Sequence, residues 1–199
     1  MTRIRPIDPN GVNAGATELL AAVKRKLGSV PNLLATMANS PAVAKAYLNF
    51  SQTLSTGMLP PRLREQIALV VGETNGCGYC VAAHTVFGKG VGLTEPETCN
   101  ARRALSRDNK EHAALDFARK VVQHRGVLSD AEVEHVRQRG YSDGEICEIV
   151  ANVALNVFTN YFNLVAGTEV DFPAPPTLAT PQRHTTVPSL GSGQHVPNR

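Results

Sequence analysis

One local pattern recurs four times in the second half of the sequence: Thr94-x-x-Glu97, Asp108-x-x-Glu111, Ser129-x-x-Glu132 and Ser142-x-x-Glu145. In each, the first side-chain oxygen is placed to accept the third amide proton of a helix, and the glutamate to reach back to the first residue's amide. Apolar residues at helical spacing follow, as at Leu115, Ala118, Val121 and Val122. Gly126 and Gly140 stand where helices need a C-terminal stop. Four such starts with no alternating strand pattern between them leave little room for a sheet.

The first half reads the same way. Leu19, Leu20, Val23 and Leu27 place a helix over about 16–27, ended by Gly28. Pro31-Asn32 opens a short helix to Met37. Ser40 as cap with Pro41 behind it opens another, to about Leu54. Pro60-Pro61 precedes a helix over about 62–74. Its run Ile67-Ala-Leu-Val-Val71 is apolar on every face and must be buried. A strand is the competing reading of that run, and the polar lead-in Arg-Leu-Arg-Glu-Gln favours helix. Asn75-Gly76 breaks the chain, and a further helix runs from about Gly78 to Lys89. The expected fold is all-α: a compact helical domain over 1–172, a long last helix over about 142–166, and an extended tail over 173–199. The tail carries Pro173, Pro175, Pro176, Pro181, Pro188 and Pro197 without periodicity.

At 199 residues with 42% hydrophobic content, the chain can build a core without disulfide staples. The net charge of +3 is small and dispersed, which argues against a nucleic-acid partner. No secretory h-region and no continuous apolar run of membrane-spanning length is visible, so a cytoplasmic protein with no membrane partner is expected. In that compartment structural disulfides are rare, and the four cysteines point to chemistry or burial.

Chemistry concentrates in residues 65–84. Cys77 and Cys80 form a Cys-x-x-Cys pair, His84 follows four residues later, and Glu65 precedes Cys77 by twelve. The pair sits in the first helical turn after Asn75-Gly76, where unpaired amide protons favour a thiolate. His84 lies one turn beyond Cys80 on the same face and is placed to act as its base. Glu65 is the candidate partner for His84 if the two helices pack side by side, with Glu73 a second candidate on the same helix. Two other readings compete: a zinc site completed by Cys99 or Cys147, and two inert buried cysteines. The first lacks the usual fourth ligand at a recognisable spacing. Cys99 and Cys147 otherwise read as core residues, and His112, His124 and His135 as solvated ones.

The last helix carries Asn152, Asn156, Asn160 and Asn163 on one face. These amides are either a buried hydrogen-bonded seam or, in part, the lining of a substrate pocket together with Tyr79. In the second case Asn156 and Asn160 are the pocket candidates.

The pattern Leu63-Arg-Glu65-x-Ile-x-Leu, Asn75-Gly-Cys77-x-Tyr-Cys80-x-x-Ala-His84, Gly92-Leu-Thr resembles the AhpD-like alkylhydroperoxidase branch of the carboxymuconolactone decarboxylase superfamily. Asn49-Phe50, Leu115-Asp-Phe-Ala and Asn156-Val-Phe-Thr-Asn-Tyr-Phe-Asn163 are similar to it too, so the resemblance covers roughly 26–172. It implies an all-helical trimer or hexamer that reduces hydroperoxides without a cofactor or metal. It implies that peroxide attacks Cys80, that Cys77 resolves the sulfenic acid to a disulfide, and that Glu65 and His84 relay the proton. The implied partners are a hydroperoxide and an external dithiol or protein thiol reductant. Tyr79 stands where the best-known hydroperoxidase of the family has a histidine. The superfamily's lactone decarboxylases lack the cysteine pair, so decarboxylation fits poorly. Two alternatives stay open: a thiol-disulfide oxidoreductase without peroxidase activity, and a non-catalytic redox-sensing helical subunit.

Overall fold

In the computed structural model, residues 1–8 and 14–178 are described. Among them are nine helices and no strand: α1 (Ala14–Leu27), α2 (Asn32–Met37), α3 (Pro41–Ser55), α4 (Pro61–Thr74), α5 (Gly78–Gly90), α6 (Glu95–Arg102), α7 (Asn109–Gln123), α8 (Asp130–Gln138) and α9 (Asp143–Ala166). The fold is all-α with a long last helix, and the run Ile67–Val71 is helical. Thr94, Ser129 and Ser142 each close a full capping box. Asp108 accepts the Glu111 amide but receives no reciprocal bond, because the Glu111 carboxylate holds Gln66 Nε2 (3.0 Å) and Ser106 Oγ (2.8 Å).

Helix α4 is the centre of the molecule. Eight of its residues are buried, and it packs against α5, α6, α7 and α9. Ile67, Leu69 and Val71 are fully enclosed, in one core with Leu115, Ile149 and Val153 from α7 and α9. A second core joins α1, α2 and α3 to Cys77, Tyr79, Cys80 and Ala83. The thiol pair therefore stands at the seam between the two cores.

The α4–α5 connection is a tight corner. The Cys77 amide donates to the Gly72 carbonyl (2.9 Å) and the Gly76 amide to the Glu73 carbonyl (3.1 Å), with Gly76 left-handed at φ +67. This is a Schellman stop. Cys77 is at once the N-cap of α5, its Sγ accepting the Cys80 amide at 3.3 Å. The chain reverses within three residues, and the two helices run back along each other. Close approach needs small residues at both ends of the contact. A Cβ on Gly72 would come within 3.5 Å of the Cys80 Cβ, and one on Gly88 would stand 2.9 Å from Leu93 Cδ1 and 3.8 Å from the Glu65 Cβ.

Several expectations are corrected. Cys147 is exposed rather than core, on the outer face of α9, and Cys99 is half-buried. His112 is half-buried, with a buried Nδ1 that has no partner among the described residues, whereas His124 and His135 are exposed. Helix α9 is long and apolar enough, by length and composition, to cross a membrane. One face of it is instead taken up in the core through Ile146, Ile149, Val153 and Leu155. Of the tail, residues 173–178 have no regular structure, and 179–199 lie outside the described residues.

The core assignment has a direct test. Ile67→Ala should lower the unfolding free energy by about 2–5 kcal/mol in urea titrations, the usual range for emptying a fully enclosed aliphatic site. Cys147→Ser, at an exposed position, should change it by less than about 0.5 kcal/mol.

Candidate active site

The antiparallel packing of α4 on α5 brings Glu65, in the second turn of α4, to His84 in α5. Glu65 Oε2 lies 2.7 Å from His84 Nδ1, and both side chains are about one-fifth exposed (22% and 21%). A carboxylate can only accept, so Nδ1 carries the proton of this bond. In the neutral imidazole that leaves Nε2 with a free lone pair. Glu73, the other acidic candidate, is engaged elsewhere: it pairs with Arg102 Nε at 2.8 Å.

Cys77 and Cys80 are both free thiols and both buried. The Cys80 thiol beside Cys77 is the main influence pulling the Cys77 pKa down, to about 7. Burial opposes it, and the Cys80 amide, Asn163 and the charge of His84 assist. Cys80 is pushed strongly the other way, first by that same sulfur–sulfur hydrogen bond and then by burial, with Asn163 and Asn160 opposing. The two sulfurs titrate as a pair: the first proton leaves readily, with the charge settling on Cys77 at the helix start, and the second leaves with difficulty.

The asparagine face of α9 closes the site from behind. Asn163 Nδ2 donates to Cys80 Sγ at 3.3 Å. Asn160, fully enclosed, accepts from Asn75 Nδ2 at 3.0 Å. Asn156 and Asn152 each turn Nδ2 back to the carbonyl four residues earlier. The seam thus divides, with its C-terminal half at the thiols and its N-terminal half bonded to its own helix.

A cavity of about 290 Å³ opens onto Cys80, His84, Glu65 and Tyr79. Most of its wall is apolar, including Leu33, Leu34, Leu48, Ala83, Phe87 and Phe172. Cys77 is not on that wall. Tyr79, Phe172, Phe87 and His84 form a chain of edge-to-face rings with centroids 5.5–5.8 Å apart. The Tyr79 hydroxyl accepts the Leu33 amide proton at 3.2 Å, and burial raises its pKa far above the phenol range. Phe172 is held there by its own segment: the Asp171 carboxylate accepts the Asn32 amide at 2.8 Å, and the Glu169 carbonyl accepts Asn32 Nδ2 at 3.0 Å. An adjoining cavity of about 150 Å³ shares Glu65 and His84 and is lined by Asn152 and Asn156.

Of the expected pocket residues, then, Tyr79 lines the thiol cavity and Asn156 the adjoining one, while Asn160 lies behind the sulfur rather than on either wall. Asn163 and Phe172 were missed as site residues. Asn163 was legible as the last member of the asparagine stripe, and nothing in the sequence marks Phe172. A larger polar cleft of about 480 Å³, lined by Arg62, Gln66, Asn100 and Glu111, touches neither thiol nor His84. Among the described residues, no three His, Cys, Asp or Glu side chains are grouped to hold a metal ion.

The family model for the carboxymuconolactone decarboxylase family matches residues 41–120, from the start of α3 into α7. This segment holds Glu65, both thiols and His84. Over this segment, two fifths of its length, the chain is similar to that family. It is 27% identical over 96 residues to an alkyl hydroperoxide reductase of Mycobacterium tuberculosis. That match takes in 48% of this chain and only 28% of the relative's length. Its fold is that of an AhpD-core, peroxidase-related protein from Ralstonia eutropha JMP134, with TM-score 0.78, 23% identity, and coverage of 85% of this chain and 92% of that one. It is also similar in fold to the debrominase Bmp8 in complex with 2,3,4-tribromopyrrole, with TM-score 0.73, 21% identity, and coverage of 86% and 92%.

The shared-proton pair predicts a pH signature. Cys77 becomes a thiolate as pH rises through about 7, so the ultraviolet absorbance of the thiolate, which needs no reagent to reach the buried sulfur, should climb through that pH. In Cys80→Ala the leading cause is gone, and the midpoint should move up toward the ordinary thiol range. An unmoved midpoint would refute the sulfur–sulfur coupling.

Proposed function

We propose that this protein is a thiol-dependent peroxidase that reduces organic hydroperoxides through a Cys77/Cys80 dithiol–disulfide cycle. The observation that carries the reading is the Cys80 sulfur on the wall of a largely apolar cavity, beside a His84 whose Nδ1 is held by Glu65. The match to the family model over residues 41–120 and the likeness to an alkyl hydroperoxide reductase over 96 residues support it.

The roles follow from position. His84, one turn beyond Cys80 on the same wall, takes the Cys80 proton at Nε2. Glu65 orients the ring and stabilises the imidazolium. The Cys80 thiolate, with the Asn163 amide donating to it, attacks the terminal peroxide oxygen. An S–O bond forms, the O–O bond breaks, and the leaving alkoxide takes the proton from His84 as an alcohol. Cys77, ionised near neutral pH and shielded from the cavity, then attacks the Cys80 sulfur. The S–S bond forms and the S–O bond breaks, and the departing hydroxide takes back from solvent the proton that Cys77 had released, leaving as water. An external dithiol returns the pair to the reduced state. In this scheme the low pKa of Cys77 serves the resolving step, and access to the cavity selects Cys80 for the first.

The apolar wall favours an alkyl or aryl hydroperoxide over hydrogen peroxide. The ring chain of Tyr79, Phe172 and Phe87 also favours a second reading, thiol-driven reductive dehalogenation of an aromatic substrate, in line with the fold likeness to a debrominase. The reaction would convert an aryl bromide and two thiols to the arene, bromide, a proton and a disulfide. For assembly, the outward face of α9 exposes Phe158, Tyr161, Leu164 and Val165, an apolar strip that suits a homo-oligomer.

The test is consumption of cumene hydroperoxide with dihydrolipoamide as reductant. Wild type should outpace the dithiol alone and prefer cumene hydroperoxide to hydrogen peroxide in kcat/KM. Cys80→Ser should abolish turnover, and His84→Gln should slow it by about a hundredfold. A wild-type rate no faster than the dithiol alone would sink the peroxidase reading. Bromide release from a bromopyrrole under the same conditions would establish the second.

A further inference from the structure

Two buried amide groups beside Cys80 have no partner among the described residues: Asn160 Nδ2, a donor, and Asn163 Oδ1, an acceptor. Asn160 is 0% exposed and Asn163 4%. Orphaned groups at such depth cost stability, so they need a reason. Both follow from the orientation of the amides. Asn163 Nδ2 is fixed by its bond to Cys80 Sγ at 3.3 Å, which leaves Oδ1 as the free end of the same planar group. Asn160 Oδ1 is fixed by Asn75 Nδ2 at 3.0 Å, which leaves Nδ2 free. The Asn160 amide also acts on the Cys80 thiol, favouring its charged form. The reduced sulfur takes a hydrogen bond from Asn163 and only a weak one from Asn160, and it leaves the Asn163 acceptor unused.

A sulfenic acid would use both. Its oxygen accepts a hydrogen bond and its hydroxyl donates one, a combination no thiol offers on an extra atom. We infer that Asn160 and Asn163 form a seat for the oxygen of oxidised Cys80: Asn160 Nδ2 donates to the sulfenic oxygen, and Asn163 Oδ1 accepts its proton. The inference rests on the peroxidase reading and adds positioning residues to it. The S–O bond forms on the cavity side as the peroxide O–O bond breaks, and rotation about the Cys80 Cβ–Sγ bond then turns the oxygen inward to the two amides. Held there, it presents the sulfur to Cys77 and shields the intermediate from a second peroxide. When Cys77 attacks, the seated hydroxide takes a proton from solvent and leaves as water, and the two amides return to their positions beside the sulfur.

The test uses the resolving-cysteine variant Cys77→Ser, in which the Cys80 sulfenic acid has no internal thiol to consume it. After one equivalent of cumene hydroperoxide, dimedone trapping at timed intervals gives the lifetime of the sulfenic acid. Intact mass gives the fraction carried on to sulfinic acid by excess peroxide. In Cys77→Ser the adduct should persist for minutes. Adding Asn160→Leu or Asn163→Leu should shorten its lifetime about tenfold and raise the sulfinic fraction. Asn152→Leu, on the same stripe but bonded to its own helix, should change neither. If a leucine variant fails to fold, the alanine variant, which is smaller than the amide, makes the same measurement. Unchanged lifetime and sulfinic fraction in both amide variants would overturn the seat and leave the peroxidase reading standing. If no dimedone adduct forms on Cys80 with any hydroperoxide, the peroxidase reading falls and the seat with it.

Discussion

The site hangs on a single corner of chain. Cys77 ends α4 through its amide and begins α5 through its sulfur, so two helices are joined with no slack between them. A helix stop and a helix cap are each modest terms, about 1 kcal/mol for a cap. Their effect here is geometric. Once the corner is closed, α5 must run back along α4, and Gly72 and Gly88 let it lie close at both ends. Glu65 and His84, nineteen residues apart in sequence, then meet at 2.7 Å. The hydrophobic burial of Ile67 to Val71 keeps α4 rigid beneath them, because a helix apolar on every face has nowhere else to go.

The asparagine face of α9 runs against the logic of a core. Four buried amides replace what could be aliphatic packing, and two of them leave a group unpaired. A purely structural seam would pair every member, as Asn152 and Asn156 nearly do by bonding back to their own helix. The departure from full pairing is confined to Asn160 and Asn163, the two members beside Cys80. Local rules broken at one point of an otherwise consistent fold are expected where chemistry is done.

The helices were legible because their signals are local. Caps, glycine stops and apolar periodicity lie within a few residues of one another, and all four Thr/Asp/Ser starts open helices. The Cys77, Cys80 and His84 grouping was legible for the same reason. The Glu65–His84 contact required a tertiary step, and the sequence supplied it only through the short break that forces antiparallel packing. Phe172 was beyond reach: its place on the cavity wall depends on Asp171 and Glu169 binding Asn32, more than 130 residues away. Cys147 was misplaced because periodicity finds a helix but not which face of it the core takes.

Tyr79 bears on how protons move in the proposed cycle. At the position where the best-known hydroperoxidase of the family this chain resembles has a histidine, this chain puts a phenol whose hydroxyl accepts the Leu33 amide proton and whose ring packs edge-on against Phe172. Burial moves its pKa away from neutrality, so it cannot exchange a proton at the pH where Cys77 ionises. The residue is committed to the wall, tying α5 to α2 and to the segment that carries Phe172. Proton traffic at Cys80 then has one side-chain route, His84 backed by Glu65, and the adjoining cavity gives that pair a polar neighbourhood of its own. The exchange of a second titrating group for an aromatic wall narrows the acid–base chemistry and makes the cavity more apolar. This is the direction expected of a site that takes a bulky organic substrate in place of hydrogen peroxide.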